Sequence, residues 1–205
     1  SMVAALASKE AEEARQNDAM VDAGREQLAR LQLQSEAIGR ISNSDALLTG
    51  NVARLSREVT EEAARVTGVA RANVWLFNED ETELRCIDLY EANTGTHTAG
   101  TIRRQEHFEN EFRALKHARH VDVDDPMTDP RTTGYIEAYL KPLHITSMLD
   151  TVLQVSGKHL GLLCFEHVAQ PHHWERDEIT FASQLADKIG LAITNRTRQQ
   201  ALEKL

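Results

Sequence analysis

Residues 116–132, KHARHVDVDDPMTDPRT, place two histidines, four aspartates and two arginines in seventeen positions. These residue types can ligate a metal or carry acid–base chemistry, so their spacing decides what they do. Zinc needs three or four converging donors held by further hydrogen bonds, and HxxHxDxDD matches no such pattern. A calcium loop needs alternating oxygens, a turn glycine and a closing bidentate glutamate, and DVDDPMTDP has no glycine. In an extended run His120, Asp122 and Asp124 point one way while Val121 and Val123 point the other. The valines then anchor the segment, and its charges form a lid or rim over something else. Arg131 stands apart as a candidate partner for carboxylates beneath that lid.

Other chemistry finds little support. There is no G-x-S-x-G, no glycine-rich phosphate loop and no H-E-x-x-H. Neither a nucleophile–base pair nor two carboxylates in clearly separate environments emerges. His172-His173 beside Trp174 reads as a turn leading into a helix. Cys86 and Cys164 lie in apolar runs and read first as small buried hydrophobes, with a redox role second. The balance of 23 basic against 32 acidic residues, net -9, opposes a phosphate-binding surface and so nucleic acid. No run reaches the roughly eighteen apolar residues of a membrane span, so no membrane contact is expected of these residues. No signal segment opens the chain, and Ser1-Met2 reads as a remnant ahead of an internal fragment. Two isolated cysteines suggest a reducing compartment, the cytoplasm by default.

Candidate chemistry must be positioned by secondary structure. Residues 3–41 lack proline and are rich in Ala, Glu, Arg and Gln, which predicts one long helix. Met20, Leu31, Ile38 and Ile41 form a sparse stripe with Gly24, Gln27 and Gln34, and Leu28 sits beside it. That is a weak heptad seam, better satisfied by a second copy than alone. Ser42 and Asp45 suggest a capping box before a second helix over about 44–67, which Gly68 ends. Strands follow at 71–78, 83–91 and within THTAGTI, then a short helix at 106–116 and a strand at 120–124. Asp129-Pro130 looks like the start of a helix that must stop near Leu140, because Pro142 disfavours helix at Lys141. Two strong strands joined through Gly157 form a hairpin, and a helix with an acidic start occupies about 175–204.

Three stretches, VWLFNEDETELRCIDLYE, DPRTTGYIEAYLKPLHITSMLDTVLQVSGKHLGLLCFEHV and HHWERDEITFASQLADKIGLAI, resemble the GAF domains of bacterial sensor histidine kinases and diguanylate cyclases. The resemblance spans about residues 44–195. It implies an α+β fold: a six-stranded antiparallel sheet with terminal helices on one face and, on the other, a pocket closed by short helices and loops. It also implies flanking helices that pair in a homodimer and pass a signal to an output domain. The domain plan is then a connector helix at 1–41, a GAF domain at 42–195 and the start of a second connector at 196–205. A PAS domain is the fold-level alternative, disfavoured by the capped helix before the first strand and by the helical insertion before the closing hairpin. Specialised subclasses fit poorly. EHFENEFRALKHARH has no cysteine for a bilin, no NKFDE motif is present, and Cys86 and Cys164 do not reproduce the reductase cysteine set. Nine histidines leave an axial haem ligand open, so the cofactor is unknown.

Strict alternation sorts Ile87, Leu89, Leu149, Leu163 and Phe165 to the face under the terminal helices. It sorts Cys86, Asp88, Tyr90, Met148, Asp150, Cys164 and Glu166 to the other face, where buried carboxylates need partners. The expected ligand-binding residues are Trp75, Asp88, Tyr90, Phe108, Phe112, Arg131, Tyr135, Tyr139, Met148, Asp150 and Glu166. The expected activity is binding of a small molecule, not catalysis. A ligand-free dimerisation spacer and a thiol-dependent reductase are the alternatives.

Overall fold

A computed structural model describes all residues, Ser1–Leu205. The chain divides into Ser1–Glu36 and Ala37–Leu205. The first unit is helical from Met2, part of helix α1 (Met2–Ser42). Its side chains are almost all exposed, Met20, Leu28 and Leu31 among them. Surface pairs such as Lys9 with Glu13 and Arg15 with Glu12 support the helix locally. No helix is long and apolar enough to cross a membrane.

In the second unit the expected single helix over 44–67 is two. Helix α2 (Asp45–Thr49) is capped by Ser44, not Ser42. Gly50 then turns left-handed at φ 71°, and Asn51 caps helix α3 (Val52–Thr67). A Cβ at Gly50 would lie 2.3 Å from the Arg196 backbone nitrogen, so the close approach of the last helix selects glycine here. Val52, Leu55, Val59 and Ala63 give α3 one buried stripe, and Gly68 closes it as expected.

Seven strands follow: β1 (Arg71–Phe77), β2 (Glu83–Glu91), β3 (Thr96–Thr98), β4 (Ile102–Arg104), β5 (His120–Val123), β6 (Ile145–Val155) and β7 (Lys158–Val168). They form one sheet in the order β3-β2-β1-β7-β6-β5, every pairing antiparallel. β4 also pairs with β2, alongside Glu83–Arg85, while β3 pairs with Leu89–Glu91. The two short pieces thus share the outermost position, and the sheet has the expected six places. Ser156 and Gly157, both at positive φ, make the tight turn between β6 and β7. Helix α4 (Glu109–His117) lies between β4 and β5, and helix α6 (Arg176–Leu202) follows β7.

The segment after Asp129 does not open a regular helix. Single turns cover Thr133–Tyr135 and Ile136–Leu140, the second widened so that the Lys141 amide bonds to the Ile136 carbonyl. The short helix α5 (Lys141–Leu143) continues from it with Lys141 in helical geometry, contrary to the expected stop. Widening the turn relieves the contact Pro142 would make with the preceding turn, and its missing N–H costs little there.

Two cores flank the sheet. Leu55, Val59 and Ala63 of α3 and Leu185, Ala186 and Ile189 of α6 pack on Ala72, Val74, Leu149, Leu163 and Phe165. On the other face Phe112 and Leu115 of α4, with Tyr135 and Leu140, cover Trp75, Cys86, Met148, Leu162 and Cys164.

Candidate functional site

The face away from the terminal helices is built in cross-strand rows. Glu91, Arg71, Glu166 and Met148 stand side by side across β2, β1, β7 and β6. The next row holds Leu89, Asn73, Cys164 and Asp150, with Val121 of β5 beyond. Hydrogen bonds stitch the rows: Trp75 Nε1 donates to Asn73 Oδ1 at 2.6 Å, and Asn73 Nδ2 donates to Glu166 Oε1 at 2.6 Å. The Tyr139 hydroxyl donates to the same Glu166 oxygen at 2.9 Å. Arg71 pairs with Glu91 and lies 3.6 Å from Glu166.

Arg103 descends from β4 onto these rows. It is 4 % exposed, with its guanidinium 4.1 Å from the Trp75 ring centre and 4.8 Å from those of Tyr135 and Tyr139. Such a cation inside an aromatic box is held by the rings' negative faces. Its Nη1 lies 3.4 Å from Glu111 Oε1 and 3.3 Å from the Tyr135 hydroxyl. Phe108 stacks on Tyr135 with centroids 4.7 Å apart. Beside them a cleft of about 230 Å³ is lined by Phe108, Glu111, Arg131, Thr133 and Tyr135, among others.

The polar groups of this cage are only partly satisfied. Arg71 Nε, Arg103 Nη2, Glu111 Oε2, Asp150 Oδ1 and Glu166 Oε2 are buried without a hydrogen-bond partner. An unmet buried polar atom costs free energy, so five on one cage is a feature that needs a cause. Burial pushes the Glu111 carboxyl up to about 8 against the pull of Arg103. It pushes Asp150 up to about 6 against the lowering influence of the Cys164 thiol and the charge of Arg103. Arg103 stays charged: desolvation would lower it, but the acidic groups around it together push it above its ordinary value. Burial thus disfavours the charged form of both Glu111 and Asp150, and Glu111 holds its proton to the higher pH. Burial also raises both thiols, Cys86 to about 11 and Cys164 well above its ordinary value.

Trp75, Phe108, Phe112, Tyr135, Tyr139, Met148, Asp150 and Glu166 therefore lie in or around this cage. Asp88 and Tyr90 do not, which corrects the strict alternation. Ile87 has no partner on β1, so Cys86 opposes Trp75 but Asp88 opposes Val74. This bulge reverses the facing of all that follows it. Asp88 turns to the helix side, accepting from Thr60 at 2.6 Å and lying 2.9 Å from His97 Nδ1. Tyr90 packs with the helix-side core and against the His97 ring. Leu89, expected under the helices, faces the cage side instead.

Arg131 lines the cleft, but its guanidinium is bound elsewhere. It grips Asp129 with two bonds, at 2.9 and 2.7 Å, and donates to the Asp122 carbonyl at 3.0 Å. In the 116–132 segment Val121 and Val123 are buried as expected, and Asp124 meets His173 at 2.7 Å.

Arg71, Asn73, Arg103 and Glu111 were missed. Glu111 had a signal: with Phe108, Phe112 and Leu115 it completes the i, i+3, i+4, i+7 face of α4. Arg103 had little, since alternation cannot be read from the three residues of β4.

Residues 51–193 match the family model described as GAF domain. The phycoerythrobilin-bound GAF domain from a cyanobacterial phytochrome is similar at a TM-score of 0.68 and 15% identity, covering 82% of this chain and 97% of that one. The blue-light absorbing form of the Thermosynechococcus elongatus PixJ GAF-domain gives 0.64 at 16%, covering 80% and 96%. A methyl-accepting chemotaxis protein gives 0.65 at 17%, covering 80% and 99%. At such identities the likeness is one of fold. No curated protein matches by sequence.

Proposed function

The chain belongs to the GAF domain family, and from that premise we propose that its charged cage binds a small molecule and that occupancy is relayed through terminal helices in a homodimer to an output domain. The observation that carries this is the set of unmet polar atoms on Arg71, Arg103, Glu111, Asp150 and Glu166. A compact polar molecule with both donors and acceptors would satisfy them, entering by the cleft at Glu111 and Tyr135. The exposed Met20, Leu28 and Leu31 of the first helical unit suit a seam between two copies. Differential contact with two packings of the helices would transmit the signal, at a few kcal/mol. A cytoplasmic kinase or cyclase is the kind of output such a module would serve.

The solved relatives named as bilin-bound raise that ligand class. Buried thiols with raised pKa values are poor nucleophiles, so Cys86 and Cys164 suit neither a covalent bilin link nor thiol-dependent reduction. A second reading, a ligand-free spacer, is favoured by one observation: Arg103 already fills the aromatic box.

Mass spectrometry of small molecules released from natively purified protein tests the proposal. A stoichiometric metabolite that raises the melting temperature of the native chain, and loses most of that effect on Glu166→Gln, is expected. No released molecule, and no stabilisation across a metabolite panel, would favour the spacer.

A further inference from the structure

At the C-terminal end of β7, on the helix side of the sheet and so on the opposite face from Glu166, His167, His172 and Glu178 converge. One donor atom from each lies within 4.8 Å of the others. The three come from separate elements: His167 from β7, His172 from the loop after it, and Glu178 from the first turn of α6. His172 Nε2 is 2.8 Å from Glu178 Oε1, and the two imidazoles lie against each other at a 31° tilt with centroids 4.1 Å apart. His167 Nε2 is buried and has no hydrogen-bond partner. A buried imidazole nitrogen with nothing to bond, beside a second imidazole and a carboxylate, is a donor set awaiting a cation.

We propose that His167, His172 and Glu178 bind one divalent transition-metal ion of the zinc class, with water in the fourth position. Two imidazoles and one carboxylate are a known zinc donor set. Tetrahedral bonds of about 2.0–2.1 Å put ligand atoms about 3.3 Å apart. The widest pair here closes by about 1.5 Å to reach that geometry, a movement within side-chain rotation.

The surroundings are built to orient the donors. The His172 backbone amide donates to Ser147 Oγ at 2.9 Å, which fixes the loop. Glu178 Oε1 accepts from the Glu175 amide at 3.0 Å in the capping box of α6, leaving Oε2 for the ion. A neutral His172 ring that carries its proton on Nδ1 offers Nε2, the nitrogen already beside Glu178, to the ion. Buried Trp174 lies 4.9 Å from the His172 ring and 5.2 Å from that of His167, and forms an apolar wall. The positive N-terminus of α6 opposes a cation, and Glu175, Asp177 and Glu178 at that end offset it. The ion would clamp β7 to the start of α6, the helix expected to lead toward an output domain.

Chelator-stripped full chain titrated with zinc chloride in a calorimeter tests this. One equivalent should bind and raise the melting temperature, and cobalt(II) should give the visible bands of a four-coordinate site. His167→Asn and Glu178→Gln should each weaken binding at least about a hundredfold. Glu178→Gln retains an amide able to serve the capping box, and circular dichroism checks that both variants fold. His173→Asn, removing the neighbouring exposed imidazole, should bind as the native chain does. No binding, or binding that survives His167→Asn and depends on His173, overturns the proposal.

Discussion

Glu111→Gln tests whether the cage holds a proton at neutral pH. Above about pH 4.5 an unfolded chain has released the Glu111 proton, whereas the folded protein keeps it until about pH 8, because burial disfavours the carboxylate. The unfolded state therefore binds fewer protons across that window, and stability falls as pH rises. Asp150, raised by burial to about 6, acts in the same direction at lower pH. His167 opposes it there. Burial holds its imidazole down to about 4 against an ordinary 6.5, so its contribution grows as pH rises between those values. Above pH 6.5 Glu111 dominates. From pH 6.5 to pH 8 the loss is one and a half pH units at roughly 1.4 kcal/mol each, about 2 kcal/mol at most. For a domain of this size that is a fall of about 4–8 °C in melting temperature. Glutamine keeps the shape of the protonated acid and cannot ionise, so Glu111→Gln should flatten the slope. His173, raised by its bond to Asp124, adds a small exposed contribution of the same sign, which the variant retains. Denaturant unfolding at both pH values measures the difference. Stability that is flat or rising over this range in the native chain, or an unchanged slope in Glu111→Gln, refutes a proton-bearing cage.

Three further outcomes follow from the geometry. Gly161→Ala should unfold the domain or cost more than about 4 kcal/mol, since its Cβ would sit 1.9 Å from the Trp75 carbonyl oxygen; a thermal melt within a few degrees of the native chain would contradict that contact. Asp88→Asn should cost about 1–3 kcal/mol by weakening the bonds to Thr60 and His97, and any cage ligand should bind it normally; binding lost at retained stability would return Asp88 to the cage. Arg103→Met should cost about 2 kcal/mol or more, because the desolvated cation that fills the aromatic box is lost; a melting curve indistinguishable from the native one would sink the central role of the guanidinium.

What the sequence made legible follows from which signals are periodic. The α3 stripe and the β6–β7 hairpin repeat over enough residues to declare both element and face, and each formed as expected. The long helix was equally plain from composition alone. Errors arose where one residue interrupts a period. Gly50 split a helix whose apolar stripe runs straight through it, because the cause is the Arg196 backbone 146 positions away. Ile87 moved Asp88 and Tyr90 to the opposite face, and nothing in ELRCIDLYE marks the bulge, since either parity leaves a plausible apolar set.

The same limit explains why the cage acids on the strands were found and its bases were not. Asp150 and Glu166 interrupt long apolar strands, so a carboxylate there is conspicuous. Arg71 opens its strand and Arg103 sits beside Arg104 in a polar run, where arginine is the ordinary expectation for solvent. Yet a buried acid is itself a statement about an unseen partner, because a carboxylate with 0 % exposure such as Glu166 must be paired, protonated or bound. Arg131 was the nearest cation in sequence to the opening aspartates, and it went to Asp129. The two buried carboxylates on the central strands, counted against one assigned cation, already required a further base or proton. The fold supplies two such bases, Arg71 beside Glu166 and Arg103 near Asp150, and the polar atoms still unmet after that accounting are the ones the proposed ligand would satisfy.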